Sequence, residues 1–433
     1  MLRFAPSPTG DMHIGNLRVA IFNYIVAKQN GDKLLIRIED TDKERNIEGK
    51  DKEILDILEV FNIDYDKVVY QSSNFPFHQQ LAKKLLDENK AFVCFCDEEE
   101  INYQRQKAKI EKRPYRYSGK CEGLSKEEIK RNLEAKKPFV IRIKKPKNDI
   151  KFKDLIKGEF KFSPFEVDSF IILRGDYTPT YNFACAVDDM IYDISFVIRG
   201  EDHLSNTPKQ IHIRKALGYD KEIKYAHLPI ILNEEGKKMS KRDSASSVKW
   251  LLQEGFLPQA IANYLILLGN NFEKEIFTLQ EAIEFFDITK ISKAPAKFDI
   301  DKLKFINKEH LKRIENLSEF LGYDKRYEEL LKIFRDESDT IKEIKAKFDK
   351  VFQKAEDDEF ASQRELLKEE ILNGELEDEY NDFKKRIMKN TGLKGKNLFM
   401  PLRELFINQK HGAEIKDLYH AMKDYIKEIV KLR

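Results

Sequence analysis

Two widely separated stretches carry residue types suited to holding phosphates. Near the amino terminus runs Arg3-Phe4-Ala5-Pro6-Ser7-Pro8-Thr9-Gly10-Asp11-Met12-His13-Ile14-Gly15-Asn16. It reads as a short buried strand, a Pro-Ser-Pro-Thr-Gly turn and the start of a helix whose apolar positions include Leu17, Ile21 and Ile25. A strand, a tight turn and a helix start make an anion site, because free backbone N–H groups and the helix dipole face the ligand. Neither a Gly-Lys-Ser/Thr phosphate loop nor a GxGxxG fingerprint is present, so the usual mononucleotide and dinucleotide readings fail. His13 can hydrogen-bond phosphate oxygens, and Gly15 leaves room for a nucleotide. Far downstream, Lys237-Lys238-Met239-Ser240-Lys241-Arg242 is a cationic loop able to close over phosphates. Together, His13, Lys238 and Lys241 are the candidate catalytic groups.

The elements that position these groups follow an α/β alternation. Asn30-Gly31 stops the first helix, and Leu34-Leu35-Ile36-Arg37-Ile38 forms a second strand. Strand, helix and strand at this spacing make a right-handed crossover with parallel strands, and such sheets bind ligands beyond the strands' carboxyl ends. That places Ser7, Thr9, His13 and Glu39 around one crevice. The spacing predicts helices near 50–61 and 77–89 with a strand at 68–70 between them. The sheet is expected to resume with a strand over Tyr181–Asp189. A strand at Phe196–His203 then delivers Arg199 and Glu201 to its end, and Leu228–Leu232 is the last strand.

Between about Ala91 and Thr180 the alternation breaks into short strands, a Lys/Glu-rich helix and proline-bearing loops. Within it lie Cys94-Phe95-Cys96 and, further on, Cys121. Alternate residues of a strand project to one face, so both sulfurs of the pair can grip one ion; a pair of core cysteines is the alternative.

Composition bounds the rest. At 433 residues the chain is long enough for about three domains. With 78 basic against 76 acidic residues, any contact with nucleic acid must come from local patches. The first residues already read as core, and no apolar run approaches the ~18 residues of a membrane span, so a soluble, cytoplasmic protein is expected. Four cysteines in that compartment are core residues or metal ligands rather than disulfides.

With Arg37-Ile38-Glu39-Asp40-Thr41-Asp42, the two opening stretches resemble the paired signatures of class I aminoacyl-tRNA synthetases, the bacterial glutamyl-tRNA synthetase family in particular. Leu398-Phe399-Met400-Pro401-Leu402-Arg403 with His411-Gly412 is similar to that family's carboxy-terminal region. The resemblance implies a Rossmann-like parallel-sheet catalytic domain in two pieces, 1–85 and 181–235, with an acceptor-stem-binding insertion at 86–180. A helical stem-contact domain at 236–316 and a helical anticodon-binding region at 317–433 follow.

The implied reaction is ATP-dependent activation of L-glutamate and its transfer to the 3′ end of tRNA, with Mg2+ accompanying ATP and the chain acting as a monomer. Thr9, His13, Gly15, Asn16, Glu201, Lys238 and Lys241 would meet ATP; Asn16 stands where the family usually has histidine or a small residue. Arg3, Ser7, Glu39, Tyr181 and Arg199 would meet glutamate, with Glu39 on the ammonium and the arginines on the side-chain carboxylate. An ion pair with Glu201 or Asp202 is the other use for Arg199. The resemblance also implies a structural zinc on Cys94, Cys96, Cys121 and, four residues before the last, Tyr117; Gly123, which stands at another position used for the fourth ligand, cannot ligate. Competing readings are a non-catalytic RNA-binding paralogue, a small-molecule nucleotidyltransferase and glutamyl transfer to a modified tRNA base. The tRNA charged, that for glutamate or that for glutamine, is left open.

Overall fold

Strand β1 (Leu2–Phe4) is entirely buried and pairs in parallel on both sides, so it is the centre from which the sheet grows. The computed structural model describes every residue except 43, 241, 242 and 355–358. The candidate Lys241 therefore lies outside the described residues. After β1 come α1 (Ile14–Asn30), β2 (Leu34–Ile38), α2 (Lys50–Val60), β3 (Lys67–Tyr70), α3 (Phe75–Asp87) and β4 (Ala91–Cys94). Then follow α4 (Glu98–Ile110), α5 (Lys126–Glu134), β5 (Val140–Ile143), β6 (Ile150–Asp154), β7 (Gly158–Phe162), α6 (Pro164–Val167) and β8 (Phe170–Leu173). The run closes with α7 (Tyr181–Ile191), β9 (Phe196–Gly200), α8 (Thr207–Ala216), β10 (Lys224–Leu228) and β11 (Ile231–Leu232).

The main sheet has seven strands in the order β3-β2-β1-β9-β10-β6-β7, parallel except for the β6–β7 hairpin. From β1 the chain winds outward through β2 and β3, and from β9 it winds the other way through β10. The reversal between β1 and β9 opens a crevice at their carboxyl ends. A separate antiparallel sheet, β4-β5-β8, carries the cysteine-bearing segment.

Two expectations are corrected here. Tyr181–Asp189 is helical, in α7, not a strand. Phe183–Asp189 is buried residue after residue, and an apolar run buried all round has no period that separates helix from strand. The predicted last strand is two pieces: β10 ends at Leu228 in the main sheet, while β11 pairs with Ala296–Lys297. Pro229 between them has no N–H for a ladder, so pairing breaks there. The hairpin β6–β7, inside the segment expected to be inserted, joins the main sheet beside β10.

The chain divides into two compact units, Met1–Val248 with Leu265–Phe298, and Lys249–Tyr264 with Asp299–Arg433. Residues 265–298, expected in a stem-contact domain, pack on α1 in the first unit: Phe22 meets Phe286 with ring centroids 4.7 Å apart, and Arg18 donates to Leu268 O at 2.8 Å. The described residues of the second unit form helices and turns, among them Ile300–Lys312, Ala361–Asn373 and Lys396–Ile407. A buried Arg364–Glu404 pair at 2.7 Å and Asn307, which accepts from Leu257 N at 2.8 Å, tie these helices together.

Candidate active site

A cavity of about 430 Å³ sits at the β1–β9 switch point, and Arg3, Ser7, Thr9, His13, Gly15, Asn16, Glu39, Tyr181, Arg199 and Lys238 all line it. Ten residues chosen from dispersed stretches thus converge. Glu201 does not line this cavity. Its side chain is taken by Lys157 and by the Ile230 N–H at 2.9 Å, so it fixes the turn after β9 and leaves Arg199 unpaired with it.

At the phosphate end, His13 caps α1 from an extended backbone, its Nδ1 accepting from Gly15 N at 3.0 Å. A Cβ on residue 15 would lie 3.2 Å from that same Nδ1. The glycine therefore keeps side-chain bulk away from the helix start, whose free N–H groups suit an anion. The cationic loop is built as a turn between β11 and Met239: Leu232 bridges Lys238, and Met239 N donates to Ile231 O at 2.9 Å. Beyond the loop, the chain is tied to the first signature, since His13 bridges Ser247 and Val248 N donates to Met12 O at 3.0 Å. Lys238 reaches Asp202 at 3.6 Å. The two signatures are thus one structure.

At the other end, opposite charges are set out in a buried frame. Arg3 and Glu39 come from the ends of neighbouring strands, and Arg199 from β9. Glu39 Oε1 accepts from Arg37 at 3.1 Å and from the Cys185 thiol at 3.1 Å. Burial and the nearby Glu39 carboxylate push the Cys185 thiol well up, which keeps it a neutral donor. Arg3 and Arg37 both reach Asp189. Burial opposes the Asp189 charge, but Arg3, Arg37 and Arg214 outweigh it and hold the carboxyl well below its usual range. The Tyr181 hydroxyl lies 2.9 Å from His203 Nδ1, and burial pushes the phenol well up, so it remains a neutral hydrogen-bonding group.

Sequence reasoning missed this frame: Cys185, Asp188, Asp189, His203 and His227. The available signal was an adjacent Asp188-Asp189 pair closing an apolar run, since buried carboxylates demand buried cations. Asp188 Oδ2 lies 4.0 Å from Arg37 Nε, and Asp188 also accepts from Gln71 at 2.8 Å and Asn74 at 3.0 Å and lies 2.8 Å from His78 Nε2.

The sulfurs of Cys94, Cys96 and Cys121 lie within 4.8 Å of one another, and the Tyr117 hydroxyl sits 3.3 and 3.5 Å from Cys94 and Cys96. Strand β4 ends at Cys94, so Cys96 reaches the cluster from the turn beyond rather than from the same strand face. Sulfurs about 2.3 Å from a tetrahedral ion are about 3.8 Å apart, and Cys96 and Cys121 stand at 3.6 Å. This donor set fits zinc.

Residues 1–305 match the family model for the class I tRNA synthetase (E and Q) catalytic domain. The chain is 62% identical to glutamate–tRNA ligase 1 of a Nitratiruptor species and 58% identical to glutamate–tRNA ligase 2 of Sulfurimonas denitrificans, with both chains covered in full. Its fold matches a crystal structure of a glutamate tRNA ligase from Elizabethkingia meningosepticum in complex with its amino acid, at a TM-score of 0.84 and 28% identity. That match covers 99% of this chain and 98% of the other. The chain belongs to the class I tRNA synthetases of the glutamate and glutamine group.

Proposed function

We propose that the chain is a glutamate–tRNA ligase and that its switch-point cavity performs both half-reactions. The observation that carries this is that one carboxylate, Glu39, and two arginines, Arg3 and Arg199, line one cavity with a helix start capped by His13. Glutamate offers one ammonium and two carboxylates, which this set complements. Its α-carboxylate attacks the α-phosphorus of ATP, and pyrophosphate leaves; the terminal ribose hydroxyl of tRNA then takes the acyl group, and AMP leaves. His13 and the α1 backbone N–H groups donate hydrogen bonds, and Lys238 and Lys241 supply positive charge, as negative charge develops, with Mg2+ entering on ATP. A donor so placed is worth about 10²–10³ in rate.

Cys94, Cys96, Cys121 and Tyr117 would hold a structural zinc, whose role is to fix the β4-β5-β8 module for gripping the acceptor stem. The helices within 317–433 are proposed to reach the anticodon. The chain is proposed to act as a monomer. Four free cysteines support a reducing cytoplasm, and no helix among the described residues is long and apolar enough to cross a membrane.

The decisive experiment is aminoacylation by glutamate and glutamine, with tRNA for glutamate and tRNA for glutamine supplied separately, in wild type, Arg199→Gln and Arg199→Lys. Wild type should prefer glutamate by roughly 10²–10⁴, since an amide leaves a buried cation underpaired. Arg199→Gln should lose most glutamate use and that preference, and Arg199→Lys should restore it only in part. Full discrimination in Arg199→Gln would move recognition to Arg3.

A further inference from the structure

No carboxylate holds Arg199 among the described residues. Its Nε donates to His227 Nε2 at 3.1 Å, one terminal nitrogen to Gln210 Oε1 at 3.0 Å and the other to Thr207 Oγ1 at 2.8 Å. For Nε2 to accept, the imidazole proton must sit on Nδ1. Asp154 Oδ2 lies 2.6 Å from that Nδ1. Asp154 is itself fixed, its Oδ1 accepting from the Ile156 and Lys157 N–H groups at 3.0 and 2.8 Å, and the His227 backbone N–H reaches its Oδ2 at 3.1 Å. All five side chains are buried. Asp154 comes from β6, His227 from β10 and Arg199 from β9, adjacent strands of the main sheet.

We propose that His227 is the positioning residue that aims Arg199 at the side-chain carboxylate of the amino acid, with Asp154 fixing the tautomer this requires. The proposal rests on the glutamate reading of the cavity. A guanidinium has five N–H donors, and three of them go to neutral acceptors here. Neutral acceptors orient the group without cancelling its charge. A carboxylate in their place would hold Arg199 as firmly and leave little charge with which to tell glutamate from glutamine. The strand order thus sets a full negative charge two hydrogen bonds away, where it directs the imidazole and not the substrate.

The test compares His227→Gln, His227→Asn and Asp154→Asn with wild type, measuring the KM for glutamate, the KM for ATP and kcat in aminoacylation. Gln sets its amide oxygen near the place of Nε2, so its glutamate KM should stay within about threefold. Asn is too short to meet Arg199, and its glutamate KM should rise about 10- to 100-fold, the range for a hydrogen bond to a charged group. The KM for ATP should move less than about twofold in both. Asp154→Asn, which keeps shape, should raise the glutamate KM about tenfold and serves if the histidine variants do not fold. Equal behaviour of the Gln and Asn variants, parallel shifts in both KM values, or an Asp154→Asn enzyme like wild type would overturn the proposal. A wild type unable to charge tRNA with glutamate would instead overturn the reading of the cavity itself.

Discussion

Arg3 and Arg37, on neighbouring parallel strands, donate to the same oxygen, Oδ1 of Asp189, at 3.2 and 2.6 Å. Arg3 faces the cavity, and Arg37 holds Glu39 at 3.1 Å. One buried carboxylate therefore aligns Arg3, the cation proposed for a substrate carboxylate, and, through Arg37, Glu39, the anion proposed for its ammonium. Asp189→Asn should raise the glutamate KM about 10- to 100-fold and destabilise the fold by about 3–5 kcal/mol, the usual cost of removing one partner from a buried ion pair. Steady-state kinetics and denaturant unfolding measure the two. An unchanged glutamate KM would mean that packing alone aims Arg3.

Residue 15 tests the nucleotide end separately. Gly15→Ala puts a methyl 3.2 Å from His13 Nδ1, so the ring must shift by a few tenths of an ångström. The KM for ATP should rise by roughly tenfold while glutamate affinity holds, and Gly15→Val should abolish adenylate formation by overpacking. ATP–pyrophosphate exchange with tRNA present reads both. A fully active valine variant would show that the ligand does not approach this helix start.

Metal analysis addresses the cysteine cluster. Protein purified without chelator should carry about one zinc per chain, and Cys121→Ser should carry less and melt at a lower temperature. Chelation should reproduce that loss of stability without removing a catalytic group, because four protein ligands would leave zinc no open position for chemistry. Metal-free wild type of undiminished stability would assign the three thiols to the core.

The histidines predict the pH response. Burial holds His203, His212 and His227 below the usual imidazole range, opposed in His212 by the Lys144 carbonyl and in His227 by Asp154. In the unfolded chain each takes its proton near ~6.5. The folded state then binds fewer protons, so this share of stability is complete above about pH 6.5 and is lost as pH falls through the lowered folded values. Melting temperature should be level from pH 8 to about 6.5 and decline below. A flat profile down to pH 5 would mean that the folded imidazoles accept protons freely.

How legible all this was in the sequence depends on the length scale of the signal. The α1 start, the β1 and β2 strands and the cysteine spacing are local patterns of turn, cap and period, and the ten candidate residues around one cavity follow from them and the family resemblance. Tyr181–Asp189 misled because complete burial erases periodicity. Lys157 captures Glu201 from a loop more than forty positions earlier, and Asp189 draws together two strands near the amino terminus; no local pattern encodes such pairings. The position of β6 beside β10 is likewise a matter of topology, since an antiparallel hairpin reads the same whichever sheet it extends.

The β6–β7 hairpin has a practical consequence for anyone exchanging segments between relatives. Cut at the apparent borders of the insertion, a transplant would carry Asp154 along with β4, β5 and β8, and with it the partner of His227. Such a chimera would then also change what holds Arg199 in the switch-point cavity. A graft that respects this must leave residues 150–162 with the recipient, and it must also rebuild the core that Ile141, Ile143 and Ile172 share with α3, α7 and α8.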